Sequence, residues 1–520
     1  MNRSTLICVP VCVQTARELE TVLPAVVAAG DLIELRLDCL RQNEFEDVLP
    51  RLTRLIAQID RPTIITLRSA EQGGERQVDE NARRSFWKAA ASLGADYLDV
   101  ESDLLADANL FDQSDWSHVI ASHHDFKRVP HDLDQIYETI GRSQAHIIKI
   151  AVTANDVTDC LPVFRLLDRA RKDGRGIIAI AMGESGSLTR ILGPSRGAFL
   201  TYGAVEEGAG SAPGQIPARE LRDVYRIDKI TTNTQIVGLI GSPTGHSISP
   251  NVHNAAFEEK NLDAVYVRFE VHDLSGFMRR MVDVRSRELD WNLRGLSVTA
   301  PHKSNVIEHL DWIEPAAREI GAVNTIVIEQ NKLRGYNTDA EGFLQPLLKR
   351  FNSLAGLRCA VIGGGGAARM AAWVLKREAA EVMIFARQAS RAEALAEEFS
   401  LKSNSLDEAS LGEFDLIVNA TPVGTKGALE SATVVTREQL RGAGFFYDLV
   451  YNPKETLLMR QAQAAGCQTL GGAEMLVTQA AAQFRLWTGG EAPIEVMSQA
   501  AEKALQRQVN STLINSESPN

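Results

Sequence analysis

What this chain of 520 residues has little of sets the first limits. Its 55 lysines and arginines are outnumbered by 67 aspartates and glutamates, for a net charge of −12, so it carries no electrostatic footprint for nucleic acid or an anionic membrane surface. No apolar run approaches the ~20 residues of a membrane-spanning helix. The N-terminal "LICVPVCV" is too short for a secretory signal and no cleavage region follows it. The six cysteines (Cys8, Cys12, Cys39, Cys160, Cys359, Cys467) form no CxxC pair and lack a neighbouring histidine cluster, which predicts that most are buried thiols and suggests neither a disulfide framework nor a zinc site. A cytoplasmic protein acting on small molecules, with no metal, nucleic acid or membrane partner, is the expectation.

What is present is rhythm. Residues 1–228 hold eight apolar, strand-like runs: "ICVPVCV" 7–13, "LIELRLD" 32–38, "TIITLR" 63–68, "DYLDVE" 96–101, "HVIASHHD" 118–125, "HIIKIAV" 146–152, "GIIAIAM" 176–182 and "FLTYGAV" 199–205. Between most of them lie stretches of helical period such as "TARELETVLPAVVAAG" and "LDQIYETIGR". Eight βα units in this length predict a closed (β/α)8 barrel, with chemistry at the C-terminal ends of the strands. Polar intrusions gather there. Glu34, Arg36 and Asp38 alternate in "ELRLD", which predicts one shared strand face; Arg68 ends the third run, His123 and His124 the fifth, and Lys149 interrupts the sixth.

Lys149 admits two readings. A lone strand lysine is as readily a paired structural charge. Alternatively, burial disfavours the charged amine, and a neutral amine facing a ketone forms a Schiff base that helps remove a proton from the adjacent carbon. An imidazole is the natural proton carrier, so Lys149 with one of the paired histidines predicts an iminium lyase or dehydratase.

The series "ELRLD", "LRSAEQGGE", "SHHDF", "IIKIAV", "LTRILG" and "GSAPGQ", in this order, resembles type I 3-dehydroquinate dehydratase over essentially all of 1–228. The resemblance implies that Lys149 forms a Schiff base with the 3-keto group of dehydroquinate. It implies His124 as the acid/base, with His123 on the opposite face, and Glu34, Arg36, Arg68, Arg190, Ser211 and Gln215 as substrate contacts. Arg190 is the expected carboxylate clamp, since a guanidinium grips two oxygens at once. One departure stands out: Gln72 occupies the position where the family usually has a glutamate that orients the catalytic imidazole. An amide accepts a hydrogen bond but cannot stabilise imidazolium by charge.

The pattern changes after the polar segment "RIDKITTNTQ" 226–235. Further on, "CAVIGGGGAARMAAWVL" 359–375 places strand, glycine turn and helix in succession, with Gly363, Gly365 and Ala368 at the GxGxxA positions of a dinucleotide-binding (Rossmann) fold. A lone glycine fingerprint is weak; its strand-to-helix context strengthens it. After the second strand, "EVMIF", comes Arg387 where NAD-dependent folds carry an acid, which predicts NADP, with a solvated surface arginine as the alternative. Upstream, 236–337 reads as a smaller α/β unit. Ser247 and Ser249 bring two hydroxyls near a helix start, as substrate contacts or simple caps. Lys303 and Asp339 are candidates for an acid/base pair, though their separation alone does not pair them.

The stretches "GSPTGHSISP", "SVTAPHK", "AVNT", "YNTD", "VIGGGGAAR", "NATPVG", "DLVYNPKET" and "EMLVTQAAAQFRLWTG" resemble shikimate dehydrogenase over about 236–507. The resemblance implies Lys303 and Asp339 as the catalytic pair and Ser247, Ser249, Thr299, Asn324, Tyr451 and Gln479 as shikimate contacts. It implies Gly363, Gly364, Gly365, Gly366, Ala367, Ala368, Arg387 and Thr421 as NADP contacts. Ser297 and Ala386 depart from residues common in bacterial relatives, and the order dehydratase then dehydrogenase resembles the fused plant enzymes. The expected division is a barrel at 1–228, a linker at 229–235, a substrate domain at 236–340 completed by a C-terminal helix at 490–507, a Rossmann domain at 341–489 and a disordered tail at 508–520. Together the resemblances imply consecutive steps of the shikimate pathway of aromatic amino-acid biosynthesis. Quinate oxidation by the second half, or a sensor that kept the folds without the chemistry, are the alternatives.

Overall fold

All eight predicted runs become strands: β1 (Ile7–Val11), β2 (Leu32–Arg36), β3 (Thr63–Thr66), β4 (Tyr97–Glu101), β5 (Val119–Asp125), β6 (Ile147–Thr153), β7 (Gly176–Met182) and β8 (Thr201–Ala204), with a short β9 (Ile216–Pro217) after them. The computed structural model describes residues 5–105, 110–111, 115–206, 210–407 and 409–517. The strands are parallel throughout and lie in the order β7-β6-β5-β4-β3-β2-β1-β8-β9. A parallel bridge between Ile177 in β7 and Ala198, just ahead of β8, links the two ends of the sheet into a barrel. Cys8, Leu32, Ile64, Ile120, Ile147, Ile178 and Tyr202 belong to one buried cluster contributed by its strands. Register then sets the chemistry: Ser122, Lys149 and Ile178 stand side by side on β5, β6 and β7, and Thr66 stands beside Asp99.

The chain forms two compact units, Met1–Gly245 with Asp263–Leu293, and His246–Leu262 with Arg294–Asn520. In the first, the barrel is accompanied by a parallel pair, β10 (Gln235–Gly241) and β11 (Ala264–Glu270). The Asp156 carboxylate, beyond the end of β6, accepts the backbone N–H groups of His272 at 2.8 Å and Asp273 at 3.2 Å, just after β11. In the second unit, β12 (Leu293–Val298), β13 (Trp312–Ile313), β14 (Thr325–Glu329) and β15 (Lys332–Tyr336) are joined by antiparallel β12–β14 and β14–β15 pairs and a parallel β13–β15 pair.

The same unit holds an all-parallel sheet of β16 (Arg358–Ile362), β17 (Glu381–Ala386), β18 (Lys402–Ser405), β19 (Leu416–Asn419), β20 (Phe445–Asp448) and β21 (Gln468–Leu470). Its order, β18-β17-β16-β19-β20-β21, is the doubly wound one, with the topological switch between β16 and β19. Alternate residues feed two cores: Val361, Ile384 and Val418 on one face, Ala360, Ile362 and Ile417 on the other. That two-faced burial is why these strands read as unbroken apolar runs.

Three expectations are corrected. β2 ends at Arg36, and Asp38 lies in the 3₁₀ turn Leu37–Cys39 rather than on the strand face; Arg36 turns back to grip it, Nε to Oδ1 at 2.9 Å and Nη2 to Oδ2 at 2.7 Å. Cys12 and Cys39 are joined in a disulfide rather than being thiols. They follow the C-terminal ends of β1 and β2, neighbouring parallel strands, which brings their Cα atoms to 5.3 Å. Cys8, Cys160, Cys359 and Cys467 are the buried free thiols expected. Finally, the helix Ile494–Glu517 runs through most of the segment read as a disordered tail. Its start is anchored by buried Met497, Ala501, Ala504 and Leu505, and no glycine or proline interrupts propagation before Pro519; residues 518–520 lie outside those described.

Candidate active sites

A cavity opens at the C-terminal ends of the barrel strands. Glu34, Arg36, Arg68, His124, Lys149, Arg190, Ser211 and Gln215, every position singled out for the first half, line it, together with Gln72, Phe126 and Tyr202. His123, the neighbour expected on the other face, is not among the lining residues.

Lys149 is buried, and its Nζ donates to Asp99 Oδ2 at 2.7 Å, Tyr202 Oη at 2.7 Å and Glu34 Oε1 at 3.3 Å. Both readings of Lys149 therefore meet in one side chain, an amine that is buried and also paired with carboxylates, and an ammonium there would need a proton acceptor before attacking a ketone. Asp99 is a poor one. Burial alone would push its carboxyl up, but Arg68, 2.7 Å away, and the Lys149 ammonium outweigh that and hold it well below the usual carboxylate range. Arg68 is fixed further by Ser122 Oγ at 2.8 Å. Glu34 Oε1 accepts from Thr66 Oγ1 at 2.7 Å as well as from the amine.

His124 faces the same cavity. Burial, helped by the nearby positive charges of Arg68 and Lys149, pushes its imidazole well below 6.5, so it is present as the neutral base. Gln72 does not reach its ring. The Gln72 Oε1 accepts the His124 backbone N–H at 3.2 Å, while Nδ1 is buried without a hydrogen-bond partner. Phe126 lies nearly parallel to the imidazole, ring centres 6.2 Å apart and planes 16° apart. Arg190 is the other unsatisfied group. It is fully buried, and among the described residues its Nε has no partner and its side chain makes one hydrogen bond, a 3.4 Å contact from Nη2 to the Pro213 carbonyl. Burial pushes its guanidinium down to about 10. A substrate carboxylate would supply both the missing charge and the missing acceptors.

In the second unit Lys303 Nζ and Asp339 Oδ2 are 2.6 Å apart, so the pair that separation alone did not reveal does meet. Asp339 sits in the first turn of the helix Thr338–Phe351, where its charge suits the N-terminus, and Asn337 caps that helix through the Ala340 N–H. Lys303 is placed from its own carbonyl, which accepts the Val323 N–H at 2.8 Å. Asn324, next in line, is buried; its carbonyl accepts the N–H of Val298, the neighbour of Thr299. Its side chain joins the helix start through the Thr338 N–H at 2.8 Å. Ser247 Oγ donates to Ser249 Oγ at 3.1 Å and accepts the Ser249 N–H at 3.2 Å, so the first hydroxyl orients the second. The variant position Ser297 donates to Gln483 Oε1 at 2.9 Å. Tyr451 is half-buried, its phenol raised by burial, and Gln479 bonds the Leu476 carbonyl at 2.8 Å; among the described contacts neither touches the Lys303–Asp339 pair.

The glycine turn follows β16. Gly363 takes φ +138°, and a Cβ there would stand 3.0 Å from the Ala420 carbonyl oxygen, so a larger residue is excluded. Gly365 caps the helix Gly366–Arg377 without any side-chain bond, and a Cβ on Gly365 or Gly366 would meet nothing within 4 Å. Open space before uncapped N–H groups suits a pyrophosphate. Arg387, one residue beyond β17, is exposed with no acidic partner among the described residues. Thr421 is oriented by Asn419, whose Oδ1 accepts its hydroxyl at 2.7 Å.

Sequence reading missed Asp99 and Tyr202. The only trace was a polar residue inside each of the apolar runs "DYLDVE" and "FLTYGAV".

Barrel and cofactor sheet thus define an enzyme of two chemistries, a lyase followed by an oxidoreductase. Residues 7–232 match the type I 3-dehydroquinase family. Residues 239–326 match the shikimate dehydrogenase substrate binding domain, 346–451 shikimate/quinate 5-dehydrogenase, and 472–502 the shikimate 5'-dehydrogenase C-terminal domain. The chloroplastic bifunctional 3-dehydroquinate dehydratase/shikimate dehydrogenase of Arabidopsis thaliana is 34% identical over 97% of this chain and 85% of its own length. The NADP(+) shikimate dehydrogenase of Methanopyrus kandleri is 41% identical over 53% of this chain and 98% of its own. The solved dehydroquinate dehydratase and shikimate dehydrogenase structure from S. pombe has 26% identity and a TM-score of 0.44, covering 96% of this chain and 98% of that one. The chain belongs to the bifunctional 3-dehydroquinate dehydratase/shikimate dehydrogenase family.

Proposed function

We propose that the chain converts 3-dehydroquinate to 3-dehydroshikimate in the barrel and reduces that product to shikimate with NADPH in the second half. The observation that carries this reading is the single barrel cavity in which Lys149, His124 and Arg190 converge. Lys149 condenses with the 3-keto group; His124, neutral and buried, takes the proton from the adjacent carbon and returns it to the departing hydroxyl. Arg190 grips the carboxylate, and Glu34, Arg36, Arg68, Ser211 and Gln215 orient the ring.

In the second half NADP, when bound, supplies the hydride. The turn at 363–368 holds its pyrophosphate, Arg387 its 2′-phosphate, and Thr421 lies alongside. Lys303 gives the proton to the carbonyl oxygen, with Asp339 holding the amine in place at 2.6 Å. Ser247, Ser249, Thr299, Asn324, Tyr451 and Gln479 contact the substrate, and the hydroxyls at Ser249 and Thr299 favour shikimate over quinate. The reading assigns 1–228 to the dehydratase, 236–340 to shikimate binding and 341–489 to the nucleotide, in a cytoplasmic enzyme.

A coupled assay tests the assignments. With dehydroquinate and NADPH, the unmodified chain oxidises the cofactor. Lys149→Ala does so only when given dehydroshikimate, and Lys303→Ala accumulates dehydroshikimate with cofactor oxidation down about 10²-fold or more. If either variant runs both steps at the unmodified rate, its assignment is wrong.

A further inference from the structure

We propose that Tyr202 is a further catalytic residue of the dehydratase half, passing the proton that leaves the Lys149 amine to the Glu34 carboxylate before the amine adds and returning it to the departing hydroxyl as the iminium forms. The inference rests on the reading of Lys149 as the Schiff-base residue.

Three groups touch the amine. Asp99, at 2.7 Å, is paired with Arg68 as well and stays ionised, so it steadies the ammonium without taking its proton. Glu34 Oε1 is at 3.3 Å, farther from the amine than the Tyr202 hydroxyl, and also accepts from Thr66. Tyr202 Oη is at 2.7 Å from the amine and in turn donates to the same Glu34 Oε1 at 3.4 Å. The phenol therefore accepts from the amine while donating to the carboxylate, the arrangement a two-proton relay requires. The amine also lies 4.5 Å from the centre of the Tyr202 ring, so the side chain fixes its position.

The groups facing Tyr202 include Glu34, Cys8, Asp99, Arg68, Arg190 and Lys149. Burial, reinforced by Glu34, holds its phenol well above 10, so it cannot rest as phenolate and gains one proton as it loses the other. The balance closes. Lys149 ammonium gives a proton to the phenol oxygen while the phenol proton passes to Glu34, leaving a neutral amine and a carboxylic acid. The amine adds to the carbonyl carbon, a nitrogen proton moves to the oxygen, and Glu34 returns its proton, through Tyr202, to the departing hydroxyl. Water leaves, and Lys149 is left as the iminium with Glu34 ionised.

The test is Tyr202→Phe in the full chain, mixed with dehydroquinate and quenched at short times with borohydride, followed by mass mapping of the Lys149 peptide. Adduct formation and dehydratase kcat should fall about 10²-fold with KM shifted no more than about threefold, while NADP-linked oxidation of shikimate is unchanged. Adduct formation and kcat within about twofold of the unmodified chain overturn the relay. No Lys149 adduct in the unmodified chain overturns the Schiff-base reading instead. Should the variant lose its fold, a proton inventory on the unmodified chain decides: two moving protons give a curved dependence of iminium formation on deuterium content, and a straight line refutes the relay.

Discussion

Arg190 concentrates the argument at the scale of single residues. A buried guanidinium with no acidic partner among the described residues is costly to the fold, and its value pushed down to about 10 expresses that cost. Replacing it with methionine should raise or leave unchanged the melting temperature of the chain, while kcat/KM for dehydroquinate falls roughly 10²-fold through loss of charge-assisted hydrogen bonds. Thermal melts and steady-state kinetics check both halves of that statement. Destabilisation with unchanged kinetics would make Arg190 a structural residue. Its place in the barrel cavity was legible in the sequence through resemblance, as were those of Lys149 and His124. The partners of Lys149 were not, because Asp99 and Tyr202 lie 50 and 53 positions away along the chain and only barrel register brings them to the amine. Gln72 shows the same limit: its departure was visible, but not that its amide would take the backbone of His124 rather than the ring.

Among the elements, the helix Ser249–Glu259 ties site to stability. Its His253 is fully buried, 5.2 Å from Trp487 between ring centres, and burial pushes its imidazole down to about 3. The sign follows directly. Between 6.5, the ordinary value, and 3 the unfolded chain binds a proton that the folded one does not, so folding stability falls as pH drops through that window and is level above it. For one proton the slope is about 1.4 kcal/mol per pH unit. Denaturant titrations between pH 5 and 7, followed by tryptophan fluorescence, should show this loss in the unmodified chain and a smaller slope in His253→Leu. Equal slopes would contradict it. Elements themselves were largely legible. Period-two and unbroken apolar runs marked the eight barrel strands, and the glycine turn marked β16 and its helix. What escaped was set by tertiary neighbours: the turn that ends β2, the Cys12–Cys39 bond between adjacent strand ends, and the C-terminal helix, whose polar second half continues from a packed first half.

At the scale of the whole molecule, the proposed assignment places Lys149 and His124 in one unit and Lys303 and Asp339 in the other. On that assignment, chemical loss of one activity should leave the other intact. The most direct measurement is borohydride reduction of the full chain in the presence of dehydroquinate, with mass mapping of its peptides and assay of both activities. A covalent adduct on the peptide containing Lys149, with dehydration abolished and NADP-linked oxidation of shikimate retained, is the predicted result. Continued dehydration without an adduct, or an adduct on another lysine that Lys149→Ala does not remove, would contradict the account.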